Sequence, residues 1–263
     1  MGCIKDAKRI VIKIGTSTLT YDTGRVNIRR IETLVKVISD IKNAGYDIII
    51  CSSGAIAVGR GKIGMKDKPT DMPTKQAVAA VGQGELMHVY DTLFSQYNHI
   101  VAQVLLTKDV VDIPQRRNHV VNTFERLIDM GCIPIVNEND TVSVEEIEFG
   151  DNDTLSAIVA GLCGADLVVI MSDIDGLYDS DPNKNPDAKL ISLVEQIDHT
   201  IFDMASDTTS NRGTGGMITK IHAAEMATRN GIDVLIVNGS DPNILYNLID
   251  GKKHGTHFLS KGE

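Results

Sequence analysis

The sequence predicts an α/β fold built on a mostly parallel, buried β-sheet. A pattern of amphipathic helix, glycine and short β-branched strand occurs four times, with glycines at positions 45, 131, 164 and 231. Glycine suits the left-handed residue just after a helix, and a strand after each helix is what parallel βαβ units require. A further observation is that nearly every strand is followed by small or polar residues. Together these features indicate a parallel sheet with a functional edge.

The first elements of the chain follow clear patterns. Arg9 to Ile14 is nearly all β-branched and predicts a first strand, although Lys13 interrupts its apolar run. A lysine at a strand end commonly reaches solvent, so Lys13 alone is a weak functional signal. Asn27 to Asn43 predicts a core-facing helix, because its apolar residues share one helical stripe: Ile28, Ile31, Leu34, Val35, Ile38 and Ile41.

The later elements are predicted with less detail. Val58 to Thr74 is rich in Gly, Pro and Lys and predicts a long loop, whereas Thr74 to Tyr97 predicts a helix despite two glycines. Asp175 to Leu190 contains two prolines and predicts a surface excursion. Thr219 to Arg229 predicts another helix, and no linker separates a second domain.

Composition restricts the classes of function. The chain has 263 residues and a formal net charge of -9, which argues against a nucleic-acid partner because such proteins normally carry a basic face. The N-terminal apolar run is too short for a signal peptide or a membrane span. Four cysteines form no CxxC pair and mostly lie in or beside apolar runs, as expected of reduced thiols. We therefore expect a cytoplasmic protein without a membrane partner.

Polar residues follow five of the predicted strands. In parallel sheets ligands bind beyond the carboxyl ends of the strands, so these residues are the candidates for a site. They are Gly15-Thr16-Ser17, Ser52-Ser53-Gly54, Asn137 to Asp140, Ser172-Asp173 and Asn238-Gly239.

The segment from Asn137 to Asp153 is unusually acidic. It contains no Lys or Arg, and its seven carboxylates are Glu138, Asp140, Glu145, Glu146, Glu148, Asp151 and Asp153. Such a segment attracts ammonium groups and repels phosphates. Asp151, Asn152 and Asp153 are also consistent with a simple N-cap cluster for the helix that follows, a role that is compatible with catalysis.

A glycine-rich run from Arg212 to Lys220 leads into the helix predicted at Thr219. Free backbone N–H groups at a helix N-terminus favour phosphate, and Lys220 adds a positive charge. A flexible loop ending in an exposed lysine fits the composition equally well. Convergence on one sheet edge of two lysines, this loop and the acidic segment favours the functional interpretation.

Motifs along nearly the whole chain resemble those of the amino acid kinase family. They are VIKIGTSTLT at 11–20, SSGAIAVGR at 52–60, AAVGQGELM at 79–87, IVNENDTV at 135–142, FGDNDTLSA at 149–157, GLYDSDP at 176–182 and GTGGMITK at 213–220. NEND followed by GDND resembles the branch whose acceptor is L-glutamate. The resemblance implies one kinase domain over residues 1–263, folded as a three-layer αβα sandwich, without the C-terminal PUA domain that many members carry.

The resemblance also implies an activity and the residues that perform it. The γ-phosphoryl group of ATP, delivered with Mg²⁺, is expected to move to the γ-carboxylate of L-glutamate, the first step of proline synthesis. Matching positions imply a glutamate site formed by Ser53, Asn137, Asp140, Asp151 and Asn152. They imply ATP binding by Lys13, Ser172, Asp173, Thr214, Gly215, Gly216, Met217, Ile218, Thr219 and Lys220. Lys13 and Lys220 flank the transferring group, and Asp153 orients both lysines; no metal ligand is implied.

The family further implies a homo-oligomer, a dimer or tetramer, with feedback inhibition by L-proline, for which the predicted Val58–Thr74 loop is the candidate region. Hand-off of the product to glutamyl 5-phosphate reductase is a further expectation. Two alternatives stay open at this point. One is a kinase of the same fold acting on N-acetylglutamate, aspartate, carbamate or UMP. The other is a catalytically silent nucleotide or amino-acid sensor.

Overall fold

The computed structural model describes residues 7–107, 109–142, 151–182, 184–206 and 216–260. These residues form an eight-stranded sheet with the order β3-β4-β2-β1-β5-β7-β8-β6. All strand pairs are parallel except β7 with β8. The strands are β1 (Arg9–Ile14), β2 (Asp47–Ser52), β3 (Val101–Leu106), β4 (Ile133–Glu138), β5 (Leu167–Ser172), β6 (Leu193–Val194), β7 (Asp233–Asn238) and β8 (Thr256–Phe258).

Helices cover both faces of the sheet, as the three-layer prediction required. They are α1 (Thr16–Leu19), α2 (Ile28–Asn43), α3 (Ala55–Ile63), α4 (Met72–Ser95), α5 (Asp109–Asp112), α6 (Pro114–Asp129), α7 (Asn152–Cys163), α8 (His199–Ser206), α9 (Met217–Arg229) and α10 (Ile244–Ile249). One hydrophobic core packs α6, α7, α8 and α9 against the sheet. A second core packs α2, α3, α4 and α10 against the opposite face.

The four glycines of the repeated pattern have the predicted left-handed backbone. Their φ angles are 101°, 75°, 62° and 76° for Gly45, Gly131, Gly164 and Gly231. Each follows a helix and precedes one of the parallel strands β2, β4, β5 and β7. A left-handed residue at this position ends the helix and turns the chain back toward the sheet. The prediction of a mostly parallel sheet is therefore confirmed together with its local cause.

Alternation along β1 determines where its lysine points. Successive strand residues face opposite sides of a sheet, so Lys13 shares the face of Val11 rather than that of Ile12. Val11 belongs to the core formed with α7 and α9, whereas Ile12 belongs to the core formed with α2 and α4. The ammonium group of Lys13 is thus directed toward α7 and α9.

The prediction of a long loop from Val58 to Thr74 is wrong. Helix α3 continues to Ile63 and α4 begins at Met72, which leaves only residues 64–71 between them. The glycines in this stretch lie within α3 without ending it. Their lack of a side chain allows backbone of other elements to approach the helix closely. A Cβ atom built on Gly59 would lie 2.0 Å from the Val78 carbonyl oxygen of α4.

Two smaller differences concern helix ends. Ile28 was predicted on the buried stripe of α2, but it is the first helical residue and is 62% exposed. Helix α9 begins at Met217, two residues before the predicted start at Thr219. Among the described helices, none is long and apolar enough to cross a membrane. Cys51, Cys132 and Cys163 are buried free thiols, as the sequence predicted for most of the cysteines.

The crossing of α3 and α4 depends on the absence of a side chain at Gly82. A Cβ atom there would lie 1.8 Å from the Ala55 carbonyl oxygen, whereas at Gly84 it would meet nothing within 4 Å. Gly82→Ala must push the two helices apart, so we expect a loss of at least about 1–3 kcal/mol in the free energy of unfolding. The matched control Gly84→Ala should gain up to about 1 kcal/mol from helix propensity. Urea unfolding measures both, and equal stabilities of the two variants would contradict the close crossing.

Candidate active site

Two lysines share one buried carboxylate at the carboxyl edge of the sheet. The Lys13 ammonium lies 2.6 Å from Asp153 Oδ1, and the Lys220 ammonium lies 3.0 Å from Asp153 Oδ2. Lys13, Asp153 and Lys220 are only 8%, 1% and 5% exposed. We call these three residues the ion triad. It carries a net charge of +1 and brings together all three residues that the sequence predicted as catalytic.

The electrostatics of the ion triad keep Asp153 ionised. Burial alone would raise the pKa of this carboxyl group, but the two nearby ammonium groups favour the carboxylate more strongly and hold its pKa below the ordinary value. Both oxygens of the carboxylate face an ammonium group. Asp153 therefore serves as a fixed anion that orients two cations, rather than as a proton acceptor.

The three residues of the ion triad belong to three different secondary-structure elements. Lys13 comes from β1, Asp153 from the first turn of α7, and Lys220 from the first turn of α9. Helix α7 starts where it does because the Asp151 side chain accepts a hydrogen bond from the Thr154 N–H group at 2.8 Å. The hydroxyl of Thr219 donates to the Gly216 carbonyl and lies 3.4 Å from Asp153 Oδ2. The helix predicted after the glycine-rich run Arg212 to Lys220 is present as α9, and its first turn carries Lys220.

A second group of polar side chains lies beside the ion triad. The Nδ2 atom of Asn152 is 3.0 Å from the Ser52 carbonyl oxygen, 3.0 Å from Ser53 Oγ and 3.0 Å from Asn137 Oδ1. We call Ser53, Asn137 and Asn152 the amide cluster. Its members come from the ends of β2 and β4 and from the start of α7. Because Asn152 and Asp153 are consecutive, the two groups are joined by one peptide bond.

Two buried residues that support the amide cluster were not singled out from the sequence. Gln83 Oε1 accepts a hydrogen bond from Asn137 Nδ2 at 2.9 Å, and Tyr90 Oη lies 3.0 Å from Ser52 Oγ. Both come from α4. The sequence did contain a signal for Gln83, namely a glutamine between two glycines inside a helical pattern. Small neighbours allow two helices to cross closely, so that a polar side chain can reach across the crossing.

The order of the strands arranges the candidate residues in a row. Asn137 and Ser53 lie at the carboxyl ends of β4 and β2 on one side of β1, whereas Ser172 and Asp173 lie at the carboxyl end of β5 on the other. Ser172 donates a hydrogen bond to Asp173 at 3.2 Å, and its carbonyl accepts from the Gly239 N–H group at 2.7 Å. Lys13 lies on β1 between the two sides. An acceptor on one side and a nucleotide on the other would meet at the ion triad.

The remaining residues that the sequence predicted for the site lie in different places. Asp140 is half-buried in the turn after β4, three residues beyond Asn137. Asp151 caps α7, in agreement with the simpler interpretation of that carboxylate. Thr214 and Gly215 of the glycine-rich run lie outside the described residues, as do Glu145 to Glu148 of the acidic segment.

The described residues were also compared with the requirements of a metal site. Within them, no group of three or more His, Cys, Asp or Glu side chains could hold a metal ion. Asp153, the most deeply buried carboxylate of the site, already has both oxygens engaged by lysines. The described side chains therefore do not form a resident metal centre.

Comparisons with known proteins show the family and the relatives of this chain. The family model described as the amino acid kinase family matches residues 8–238. The glutamate 5-kinase of Clostridium perfringens is 54% identical over 262 residues, covering 98% of this chain and 97% of that protein. The glutamate 5-kinase of Listeria innocua is 50% identical over 264 residues, covering 99% and 96%.

Solved structures share the fold at much lower identity. The UMP kinase of Ureaplasma parvum has a TM-score of 0.66 at 20% identity, covering 96% of this chain and 98% of that one. The carbamate kinase of Giardia lamblia bound to AMP-PNP has a TM-score of 0.66 at 18% identity, covering 98% and 100%. The full-length relatives and the family model settle the classification: this chain belongs to the amino acid kinase family.

Proposed function

We propose that this chain transfers the γ-phosphoryl group of ATP to the γ-carboxylate of L-glutamate and forms glutamyl 5-phosphate, the first step of proline biosynthesis. The observation that carries the proposal is the ion triad, which lies between the amide cluster and the carboxyl end of β5. The names of the relatives at 50–54% identity support the same reaction. The low-identity kinase structures support the fold alone.

The ion triad suits a reaction between two anions. A γ-carboxylate and the terminal phosphate of ATP repel each other, so their approach needs fixed positive charge. Phosphoryl transfer spreads negative charge over the transferring group, which makes positioning and electrostatic stabilisation the main catalytic tools. In the proposed mechanism Lys13 and Lys220 contact the transferring phosphoryl group from two directions. Asp153 holds both ammonium groups in place as the bond to ADP breaks and the bond to the acceptor oxygen forms.

The acceptor is proposed to bind at the amide cluster. Ser53, Asn137 and Asn152 offer hydroxyl and amide groups to the polar groups of glutamate. Asp140 is proposed to pair with the substrate ammonium, and Asp151 contributes negative charge close to the same region. This acidity favours an acceptor with a free amine over N-acetylglutamate, which lacks the positive charge, and over UMP, whose phosphate prefers arginine.

ATP is proposed to bind along Ser172, Asp173 and the residues from Thr214 to Lys220. Mg²⁺ is proposed to enter with ATP as part of that substrate, since no group of three or more His, Cys, Asp or Glu side chains among the described residues could hold it. The buried free thiols fit an enzyme that works in the cytoplasm. Homo-oligomerisation, inhibition by L-proline and hand-off to glutamyl 5-phosphate reductase belong to the same proposal and are supported by the resemblance. The short connection at residues 64–71 replaces the longer loop as the candidate region for proline control.

A coupled assay of ADP release tests the proposed reaction directly. The purified chain should release ADP with L-glutamate as acceptor. It should show little release with N-acetylglutamate, which lacks a free amine, or with UMP, whose phosphate prefers arginine. Aspartate and carbamate are assayed beside them. Absence of glutamate-dependent ADP release would refute the enzyme proposal and favour a silent sensor. Preference for another acceptor would instead reassign the substrate.

Lys220→Ala should lower kcat by about two orders of magnitude. Removing one well-placed donor to the developing charge typically loses about 3 kcal/mol of transition-state stabilisation. The matched control is Lys252→Ala, which removes a lysine that is 60% exposed at its side chain. Steady-state kinetics with saturating ATP and glutamate measure both variants, and near-normal turnover of Lys220→Ala would exclude its catalytic role.

Asp153→Asn should destabilise the fold as well as slow turnover, because it leaves two buried ammonium groups without their anion. Breaking a buried ion pair typically costs about 3–5 kcal/mol. Since the folded pKa of Asp153 is lowered, this stability is present above the ordinary value of about 4 and is lost as the pH falls through the folded pKa. The stability gap between wild type and Asp153→Asn should therefore shrink below about pH 4.

Urea unfolding at pH 7 and at successively lower pH measures this gap. Asp250→Asn is the control, because the exposed Asp250–Lys252 pair at 3.8 Å should contribute at most about 1 kcal/mol. A gap for Asp153→Asn that is no larger than that of the control would contradict the stabilising role of the ion triad.

A further inference from the structure

The hydrogen bonds around Asn137 determine which way its side-chain amide points. Asn137 Oδ1 accepts from the Glu138 backbone N–H group at 2.9 Å. A backbone N–H can only donate, so this end of the amide must be the oxygen. The Nδ2 end is therefore the donor to Gln83 Oε1 at 2.9 Å, and the amide orientation of Gln83 is fixed in turn.

The side-chain amide of Asn152 also has only one possible orientation. Its Nδ2 atom faces the Ser52 carbonyl oxygen, which can only accept, and it also faces the Asn137 Oδ1 atom just assigned. The side-chain oxygen of Asn152 therefore points away from Ser52 and Asn137, and it remains an acceptor for a substrate donor. Asn137 is therefore the middle member of a row of three amides, hydrogen-bonded to Gln83 on one side and to Asn152 on the other.

Gln83 is chemically unusual for its place in the fold. It is only 9% exposed, and its Nε2 atom is buried without a hydrogen-bond partner among the described residues. A buried donor without an acceptor destabilises the folded state, so an apolar side chain would suit the helix interior better. Polar groups that conflict with local packing in this way are expected where they serve function. The hydrogen-bonded atom of the Gln83 amide is its oxygen, which accepts from Asn137.

Tyr90 repeats this arrangement two helical turns further along α4. Its side chain is fully buried, and its hydroxyl lies 3.0 Å from Ser52 Oγ at the end of β2. Burial raises the pKa of Tyr90 far above its ordinary value, so the hydroxyl stays neutral. The Ser52 hydroxyl also donates to the Ser53 carbonyl at 3.2 Å. Helix α4 thus holds the ends of both β2 and β4 through two side chains.

We infer that α4 sets the geometry of the acceptor site, with Gln83 and Tyr90 as positioning residues for the amide cluster. Gln83 acts on Asn137 and, through it, on Asn152, while Tyr90 acts on Ser52 and Ser53. Neither residue belongs to the nucleotide side of the sheet edge. The inference rests on the proposed function, since it assigns both residues to recognition of L-glutamate rather than of ATP.

The test separates recognition of the two substrates. Gln83→Met keeps the size of the side chain and removes its hydrogen bonds. It should raise the KM for glutamate about tenfold, the loss expected for one buried hydrogen bond, while the KM for ATP stays within about twofold. Tyr90→Phe removes only the hydroxyl and should raise the glutamate KM in the same direction. Because Gln83→Met also removes the unpartnered donor, its melting temperature should not fall below that of wild type by more than a few degrees.

Leu34→Val is the matched control, since it weakens the same hydrophobic core from α2. It should lower the melting temperature without a change in the glutamate KM. A glutamate KM within about twofold of wild type in Gln83→Met and Tyr90→Phe would overturn the inference, as would parallel changes in both KM values. Calorimetric titration of glutamate into each variant provides a second readout. If wild type shows no glutamate-dependent turnover, the proposed function fails, whereas an active wild type with unaffected variants refutes only the positioning role.

Discussion

The ion triad is the interaction on which the site depends. Desolvation of two ammonium groups and one carboxylate is expensive, and a buried ion pair seldom stabilises a fold more than apolar packing of the same volume. Here the arrangement also keeps a net charge of +1 in a region that is less than 10% exposed at each member. Such a charge is useful where an anion must be held, and it lies at the carboxyl end of β1, the edge of a parallel sheet at which ligands bind. The geometry is thus more easily explained by phosphoryl chemistry than by stability.

The start of α7 connects the two halves of the site. Asp151, Asn152 and Asp153 are consecutive, yet each has different partners: Asp151 caps the helix, Asn152 contacts the other two members of the amide cluster, and Asp153 pairs with the two lysines. Because one helical turn carries all three, a displacement of α7 would move the acceptor side and the phosphoryl side together. Capping of α7 and contact with the two lysines, which the sequence analysis treated as compatible, are therefore carried by consecutive residues of one turn.

Much of the fold was predictable from sequence, because the signals involved are local. Left-handed glycines after helices and β-branched runs determine where strands begin, so Gly45, Gly131, Gly164 and Gly231 marked the parallel sheet. Motif resemblance identified Lys13, Asp153 and Lys220, which the fold brings into contact. The features that could not be predicted depend on how closely elements pack against each other in the folded chain. Gly59 and Gly82 resemble helix breakers in sequence but allow α3 and α4 to cross closely. The role of Gln83 could not be recognised without that crossing.

The fold alone does not determine which acceptor is used, since UMP kinase and carbamate kinase structures share it at 18–20% identity. Discrimination must come from groups that differ between acceptors at the same sheet edge. A free amine requires negative charge, and the sequence from Asn137 to Asp153 contains seven carboxylates without a single Lys or Arg. A carboxylate acceptor requires donors held at fixed angles, because hydrogen bonds weaken steeply when misaligned. Amides oriented by buried neighbours meet that requirement better than amides free to rotate. Selectivity at this edge thus depends on residues behind the amide cluster as well as on those that face the substrate.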